Sequence, residues 1–276
     1  MADLHDQLRG LLGLGSPSVL PEAHSYFCPD GPGPHPAVLY CHAHGGEYGL
    51  GRRELTEGAR WLVAPYAPDL LAAGWAVLCI DMPGFGDRAK LGTESALVKA
   101  GLWQGRPYFG WMVAEQIAGV QWLAARNEID ATRIITLGMS MGGALSLWTA
   151  ALEPRIAACV HLCFLADIAP LIATGVHDRH GHYLTVPGFL PLAETGDVAA
   201  LIAPRPQFVG HGSDDALTPA SARDAALARL RTAYSDDALR TFMAERTGHV
   251  ETPEMRRHVL DFLRHLQTAQ NTRTSC

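Results

Sequence analysis

"RIITLGMSMGGALSLW", residues 133–148, joins two segments of different character. "RIITL" is a short β-branched run of the kind that sits inside a sheet. "ALSLWTAAL" (144–152) reads as a helix. Only Gly138-Met139-Ser140-Met141-Gly142 lies between them, so the connection is very tight. A lone serine in such a strand-to-helix turn is either a helix N-cap or a nucleophile held out for attack.

Outward from this turn, strand-like and helix-like runs alternate. "PAVLYCH" (36–42), "WAVLCID" (75–81), "IAACVHLCF" (156–164) and "RPQFVGH" (205–211) are continuously apolar, as strands buried on both faces must be. Between them, Val113, Ile117, Val120 and Ala124 fall at spacings of 4, 3 and 4, and Met255, Val259, Phe262 and Leu266 repeat that helical period. The alternation predicts an α/β fold with a mostly parallel sheet and helices on both faces. A segment around "VLPEAHSYFCP" is expected to add an antiparallel edge. One domain accounts for all 276 residues. Two stretches break the pattern, at about 44–68 and 167–204. Both begin where a strand ends, which is where an open parallel sheet binds ligands.

Composition narrows the function. Hydrophobic residues make up 48% of the chain, enough for one large core. The formal charge is −6 with no basic stripe, which argues against nucleic acid as a partner. No signal-like N-terminus and no long apolar run is present, so neither export nor a membrane span is expected. Cys41, Cys79, Cys159 and Cys163 sit in apolar runs and read as small core residues. No CxxC occurs, so a reducing cytoplasm is the expected compartment.

The pattern Gly138-x-Ser140-x-Gly142, set between a strand and a helix, resembles the nucleophile elbow of the α/β-hydrolase fold. Its glycines allow strand and helix to approach, and the helix N-terminus aims amides at a developing oxyanion. A serine hydroxyl needs a base, and the base needs an orienting partner. In this fold the order is Ser, then Asp or Glu, then His. "FVGHGSDDALTP" offers Asp214 and Asp215, and its match to H-G-x-x-D-x-x-(V/T)-P favours Asp215. Gly248-His249 stands just before the last helix, whereas the rival His258 lies inside it. The oxyanion amides are expected from Met141 and from His44, with Ala43 as alternative, in "HAHGG" (42–46).

These stretches, with "VLCIDMPGFGDR", "LIAPRPQFVGHGSDDALTP" and "GHVETPE", resemble the α/β-hydrolase superfamily over nearly the whole chain, in the branch of dienelactone hydrolases and acetyl esterases. Dienelactone hydrolases carry a cysteine nucleophile. Ser140 in that place shifts the expectation from lactone opening to hydrolysis of a carboxylic ester. The resemblance implies a Ser140–Asp215–His249 triad, an acyl-enzyme, a small-molecule ester substrate and no cofactor. Pro83 stands where many relatives have arginine, and the 44–68 segment is longer than in minimal members.

The same triad serves lactonases, thioesterases and small peptidases, and some proteins of this fold only bind ligands. A homodimer is compatible with the sequence. Trp103, Phe109 and Trp111, with Tyr108, are candidates for the substrate pocket or for helix packing. Arg52 could receive a substrate carboxylate, as could Arg53 and Arg60; a solvated face is the other reading. His177, His180 and His182 are close in sequence but lack metal-site spacing, so no metal is expected and a place at the pocket mouth is the better reading. "QTAQNTRTSC" (267–276) reads as a frayed tail.

Overall fold

The computed structural model describes residues 2–15, 18–235 and 237–271. The strands are β1 (His24–Phe27), β2 (His35–Cys41), β3 (Ala76–Ile80), β4 (Ile129–Met139), β5 (Ile156–Leu162), β6 (Gln207–Gly212) and β7 (Leu239–Ala244). The helices are α1 (Ala2–Leu11), α2 (Glu54–Glu57), α3 (Ala67–Ala72), α4 (Glu94–Trp103), α5 (Tyr108–Ala124), α6 (Met141–Leu152), α7 (Ile168–Ala173), α8 (Thr195–Ala200), α9 (Ala220–Arg231) and α10 (Pro253–Asn271).

The seven strands form one sheet in the order β1-β3-β2-β4-β5-β6-β7. β1 runs antiparallel to β3, pairing His24 with Ile80, and the other neighbours are parallel. The continuous apolar runs have the physical cause expected of them. Along β2, Leu39 and Cys41 point into a core shared with α5 and α6, while Val38 and Tyr40 point into a second core shared with α3 and α10. Both faces are covered, so every position must be apolar. α5 and α10 fall on the two segments with helical spacing.

Three elements depart from the sequence reading. β7 is half-exposed along "LRTFMA" and has no continuous apolar run, so no strand was legible there. α1, absent from the sequence reading, buries Leu8 and packs on α6; Leu4, Leu8 and Leu11, at helical spacings of 4 and 3, are the signal that could have found it. α10 continues to Asn271, so the helix extends into the stretch read as a tail; residues 272–276 lie outside the described residues.

The strand order places the site. The chain leaves β2 toward β3 on one side, while β4 lies on the other side and leads on to β5, β6 and β7. The loops after β2 and β4 therefore diverge, which opens a crevice at their C-terminal ends. Ser140 follows β4, and His42–Gly46 follow β2.

Candidate active site

Ser140 has φ 58° and ψ −121°, in the left-handed half of backbone space where a non-glycine residue is strained. The turn lifts the side chain off the sheet, and its own amide is tied to the Leu162 carbonyl at 2.8 Å. The turn can form only because Gly142 lacks a side chain: a Cβ there would overlap the Cys41 carbonyl oxygen at the end of the neighbouring β2. The serine does not cap α6 through its side chain.

Instead the Ser140 hydroxyl lies 2.8 Å from His249 Nε2, and His249 Nδ1 lies 2.7 Å from Asp215 Oδ2. Nδ1–H therefore donates to the carboxylate, and Nε2 is left to accept from the serine. Asp215 is 3% exposed, and its other oxygen accepts the Leu217 amide at 2.8 Å. Burial pushes its pKa up, but the hydrogen bond and charge of His249, with the Leu217 amide, outweigh burial and hold the carboxyl below its usual range. Asp214, the alternative acid, is exposed and only accepts the neighbouring Ser213 hydroxyl. His258 stays on α10, with its ring 4.6 Å from that of Phe242.

The loop after β2 is held by its side chains. His42 is buried: its Nδ1 donates to the Ala43 carbonyl at 2.9 Å, and its Nε2 accepts the Met82 amide at 3.1 Å. His44 Nδ1 accepts the Gly46 amide at 3.1 Å, so its Nε2–H faces Glu94 at 3.2 Å. The Ala43 amide is committed to Glu54, at 3.1 and 3.2 Å from the two carboxylate oxygens, which removes Ala43 as an oxyanion donor. No protein acceptor engages the amides of Met141 and His44 among the described residues.

Three buried carboxylates that sequence reasoning missed hold the surroundings in place. Glu54 also accepts from the Tyr40 hydroxyl at 2.7 Å and the Trp61 indole at 2.9 Å. Burial pushes its carboxyl up to about 7, outweighing the Tyr40, Ala43 and Trp61 hydrogen bonds. The Trp61 ring then fills the space where a Cβ on Gly45 would stand. Glu251, two residues past His249, accepts the Val63 amide at 3.1 Å and a two-pronged pair from Arg256 at 2.8 Å, while its own amide donates to the Trp61 carbonyl at 2.9 Å. Glu94 gathers His44, the Tyr48 hydroxyl at 2.9 Å and the Tyr183 amide at 2.8 Å. Apart from Trp61 and Arg256, 7 and 5 positions from their carboxylates, the partners of these carboxylates lie from 11 to 188 positions away in the chain, so no local pattern announces the set.

Ser140 and His249 open into a cavity of about 450 Å³, walled by the loop after β2, Arg60 and Trp61 on one side and by Arg179, His180, Gly181 and Tyr183 on the other. The two inserted stretches thus supply its walls. The substrate-binding residues expected from sequence do not line it. Trp103 is 92% exposed at the end of α4. Phe109 is fully buried, packed edge-on to Trp148. Trp111 donates its indole N–H to Glu115 at 2.7 Å. Arg52 is neutralised by Asp81 and Asp87, and its backbone amide donates to Asp81 at 2.6 Å. Phe109 and Trp111 serve helix packing, Trp103 lies in solvent, and Arg52 serves an ion pair with the buried Asp81.

His177, His180 and His182 do not converge. His180 Nε2 donates to the Leu217 carbonyl at 2.9 Å, and His182 lies 3.9 Å from Glu94. Among the described residues, Cys163, Asp215 and His249 bring ligand-type atoms within 4.8 Å of one another, but Asp215 and His249 are already bonded to each other.

A parallel sheet that presents a serine on a strained elbow, beside a histidine bonded to a buried aspartate, defines a hydrolase-type framework. Residues 36–184 match the family model described as the alpha/beta hydrolase fold. A Bacillus subtilis (strain 168) protein named "Putative hydrolase YtaP" is 39% identical over 236 residues, spanning 84% of this chain and 78% of that protein. The chain belongs to the α/β-hydrolase family. Among solved structures, it is similar to the acetyl xylan esterase from Paenibacillus sp. R4, with TM-score 0.65, 19% identity and coverage of 94% and 92% of the two chains. It is likewise similar to acetyl xylan esterase 1 from Thermoanaerobacterium sp. JW/SL YS485, with TM-score 0.66, 18% identity and coverage of 96% and 93%. At such identities these two likenesses concern the fold.

Proposed function

We propose that this chain is a serine esterase working through Ser140, His249 and Asp215. The observation that carries the proposal is the unbroken hydrogen-bonded path from serine to histidine to buried aspartate, at 2.8 and 2.7 Å, on the floor of a small-molecule-sized cavity. Ser140 Oγ attacks the ester carbonyl carbon while its proton passes to His249 Nε2. Asp215 keeps the imidazole in the Nδ1–H tautomer and stabilises the imidazolium. The amides of Met141 and His44 receive the oxyanion. The carbon–oxygen bond to the alcohol then breaks, and His249 returns the proton to the leaving oxygen. Water, giving its proton to His249, attacks the acyl-enzyme and releases the acid with Ser140 restored.

The proposal includes one domain whose two inserted stretches wall the cavity, a small ester as substrate and a cytoplasmic location. The free thiols of Cys28, Cys41, Cys79, Cys159 and Cys163 support a reducing compartment. Among the described residues, no helix is long and apolar enough to cross a membrane.

The test is hydrolysis of 4-nitrophenyl esters from acetyl to decanoyl, run beside Ser140→Ala, with fluorophosphonate labelling of both proteins. Hydrolysis and labelling that vanish in the variant support the proposal. A folded wild type that neither hydrolyses nor labels overturns it and favours a ligand-binding member of the family.

A further inference from the structure

The cavity around Ser140 has a charge character that its acidic host does not share. The chain carries a formal −6, yet among the described residues no aspartate or glutamate lines the cavity. Its titratable walls are His44, Arg60, Arg179, His180, Tyr183 and His249. His44 is matched by the buried Glu94 behind it. Arg60 is partly matched by Glu47 at 3.5 Å, and its guanidinium is held over the cavity wall by the Gly45 carbonyl at 3.2 Å and by the face of Trp61 at 5.8 Å. Arg179 comes from the opposite wall, on the short helical turn Val176–Arg179, and has no ion-pair partner among the described residues. Two exposed arginines, Arg60 from one insertion and Arg179 from the other, thus border one cleft. Low-dielectric walls concentrate such a field on whatever enters, and the planar guanidinium fork matches a carboxylate in shape as well as charge.

We propose that the substrate is an ester carrying its own carboxylate, such as a half-ester of a small dicarboxylic acid, and that Arg179 and Arg60 receive that carboxylate while Ser140 attacks the esterified end. This rests on the esterase reading and adds the substrate's chemical class. The volume of about 450 Å³ is of the size that holds a small molecule.

The experiment compares 4-nitrophenyl half-esters of succinate, glutarate and adipate with neutral 4-nitrophenyl esters of equal length. It uses the wild type, Arg179→Gln, Arg60→Gln, the double variant, and Arg53→Gln as a control for net charge, since Arg53 pairs with Glu57 away from the cavity. The reading is the ratio of kcat/KM for charged over neutral substrate. We expect the wild type to prefer one half-ester by tenfold or more, the ratio to fall at least tenfold in the double variant and at raised salt, and Arg53→Gln to leave it unchanged. A wild-type preference for neutral esters, or equal losses on both substrates in the cavity variants, would overturn the proposal. Calorimetric titration of glutarate into Ser140→Ala, with and without Arg179→Gln, separates this proposal from the esterase reading because it needs no turnover. Glutarate binding that the Arg179 change abolishes supports the carboxylate site even where no ester is cleaved. Absence of binding by succinate, glutarate and adipate, with esters still hydrolysed, removes the site and leaves the triad standing.

Discussion

His180 Nε2 donates to the Leu217 carbonyl over 2.9 Å, and the amide of Leu217 donates in turn to Asp215 Oδ1 over 2.8 Å. One residue therefore joins the inserted wall of the cavity to the acid that orients His249. Breaking the link with His180→Ala removes one hydrogen bond of about 1 kcal/mol. The expected result is a roughly five-fold loss in kcat/KM, expressed mainly in KM, with Tm changed by only a few degrees. Steady-state kinetics on the best 4-nitrophenyl ester measures the split. A collapse of kcat with KM untouched would contradict it.

Asp215→Asn keeps the shape of the side chain but removes the charge that selects the Nδ1–H tautomer. In serine proteases the equivalent change costs about 10⁴ in kcat, and a loss of that order is expected here. Asp214→Asn is expected to change kcat by less than about two-fold, because its carboxylate bonds only to Ser213 at the surface. Equal losses in the two variants would reverse the assignment.

Glu54 makes stability depend on pH in a direction opposite to that of most carboxylates. Its folded value of about 7 lies above the unfolded value of about 4.3. The folded state therefore keeps a proton that the unfolded chain releases within that window. Its stabilising contribution, about 4 kcal/mol in all, is complete below about pH 4.3, is lost as pH rises toward 7, and is absent above. Denaturant unfolding at pH 5, 6, 7 and 8 measures this, and the difference between wild type and Glu54→Gln isolates the group. Parallel curves for the two proteins would show that Glu54 does not titrate there.

Arg256 is the partner of a buried charge. It bonds Glu251 twice, Asp69 at 2.8 Å and the Ala64 carbonyl at 2.7 Å, and lies over the ring of Tyr66. Arg256→Ala strands the Glu251 carboxylate, at an expected cost of about 3–5 kcal/mol. In a protein of this size that lowers Tm by roughly 10 °C. Calorimetry provides the test, and a shift of only a degree or two would mean that Glu251 finds other compensation.

The strands and the candidate triad were legible in the sequence because both are written locally. Strands covered on two faces must be unbroken apolar runs, and Ser140, Asp215 and His249 each sit in a short pattern fixed by the backbone shape it requires. β7 escaped because an edge strand with one exposed flank needs no such run. The walls of the cavity escaped for a different reason. Phe109 and Trp111 look like pocket residues in one dimension, but which way a helix turns them depends on packing against Trp148 and Glu115, contributed by other parts of the fold and of the helix itself. Arg52 and Arg60 are eight positions apart in one loop. One is captured by Asp81 and the other faces the cavity, and nothing in the local sequence distinguishes them.

The Glu251 amide bonded to the Trp61 carbonyl has a consequence in time as well as in space. A ribosome delivers the serine elbow and the loop after β2 long before it delivers residues 249 to 256. Until those residues emerge and dock, Ser140 does not have the His249 imidazole beside it, and the segment that carries Trp61 is held by Glu54 but lacks its second fastening, to Glu251. The nascent chain can thus cover the α5–α6 face of its sheet while the hydroxyl stays inert, and reactivity arrives only as His249 and α10 dock and close the other face.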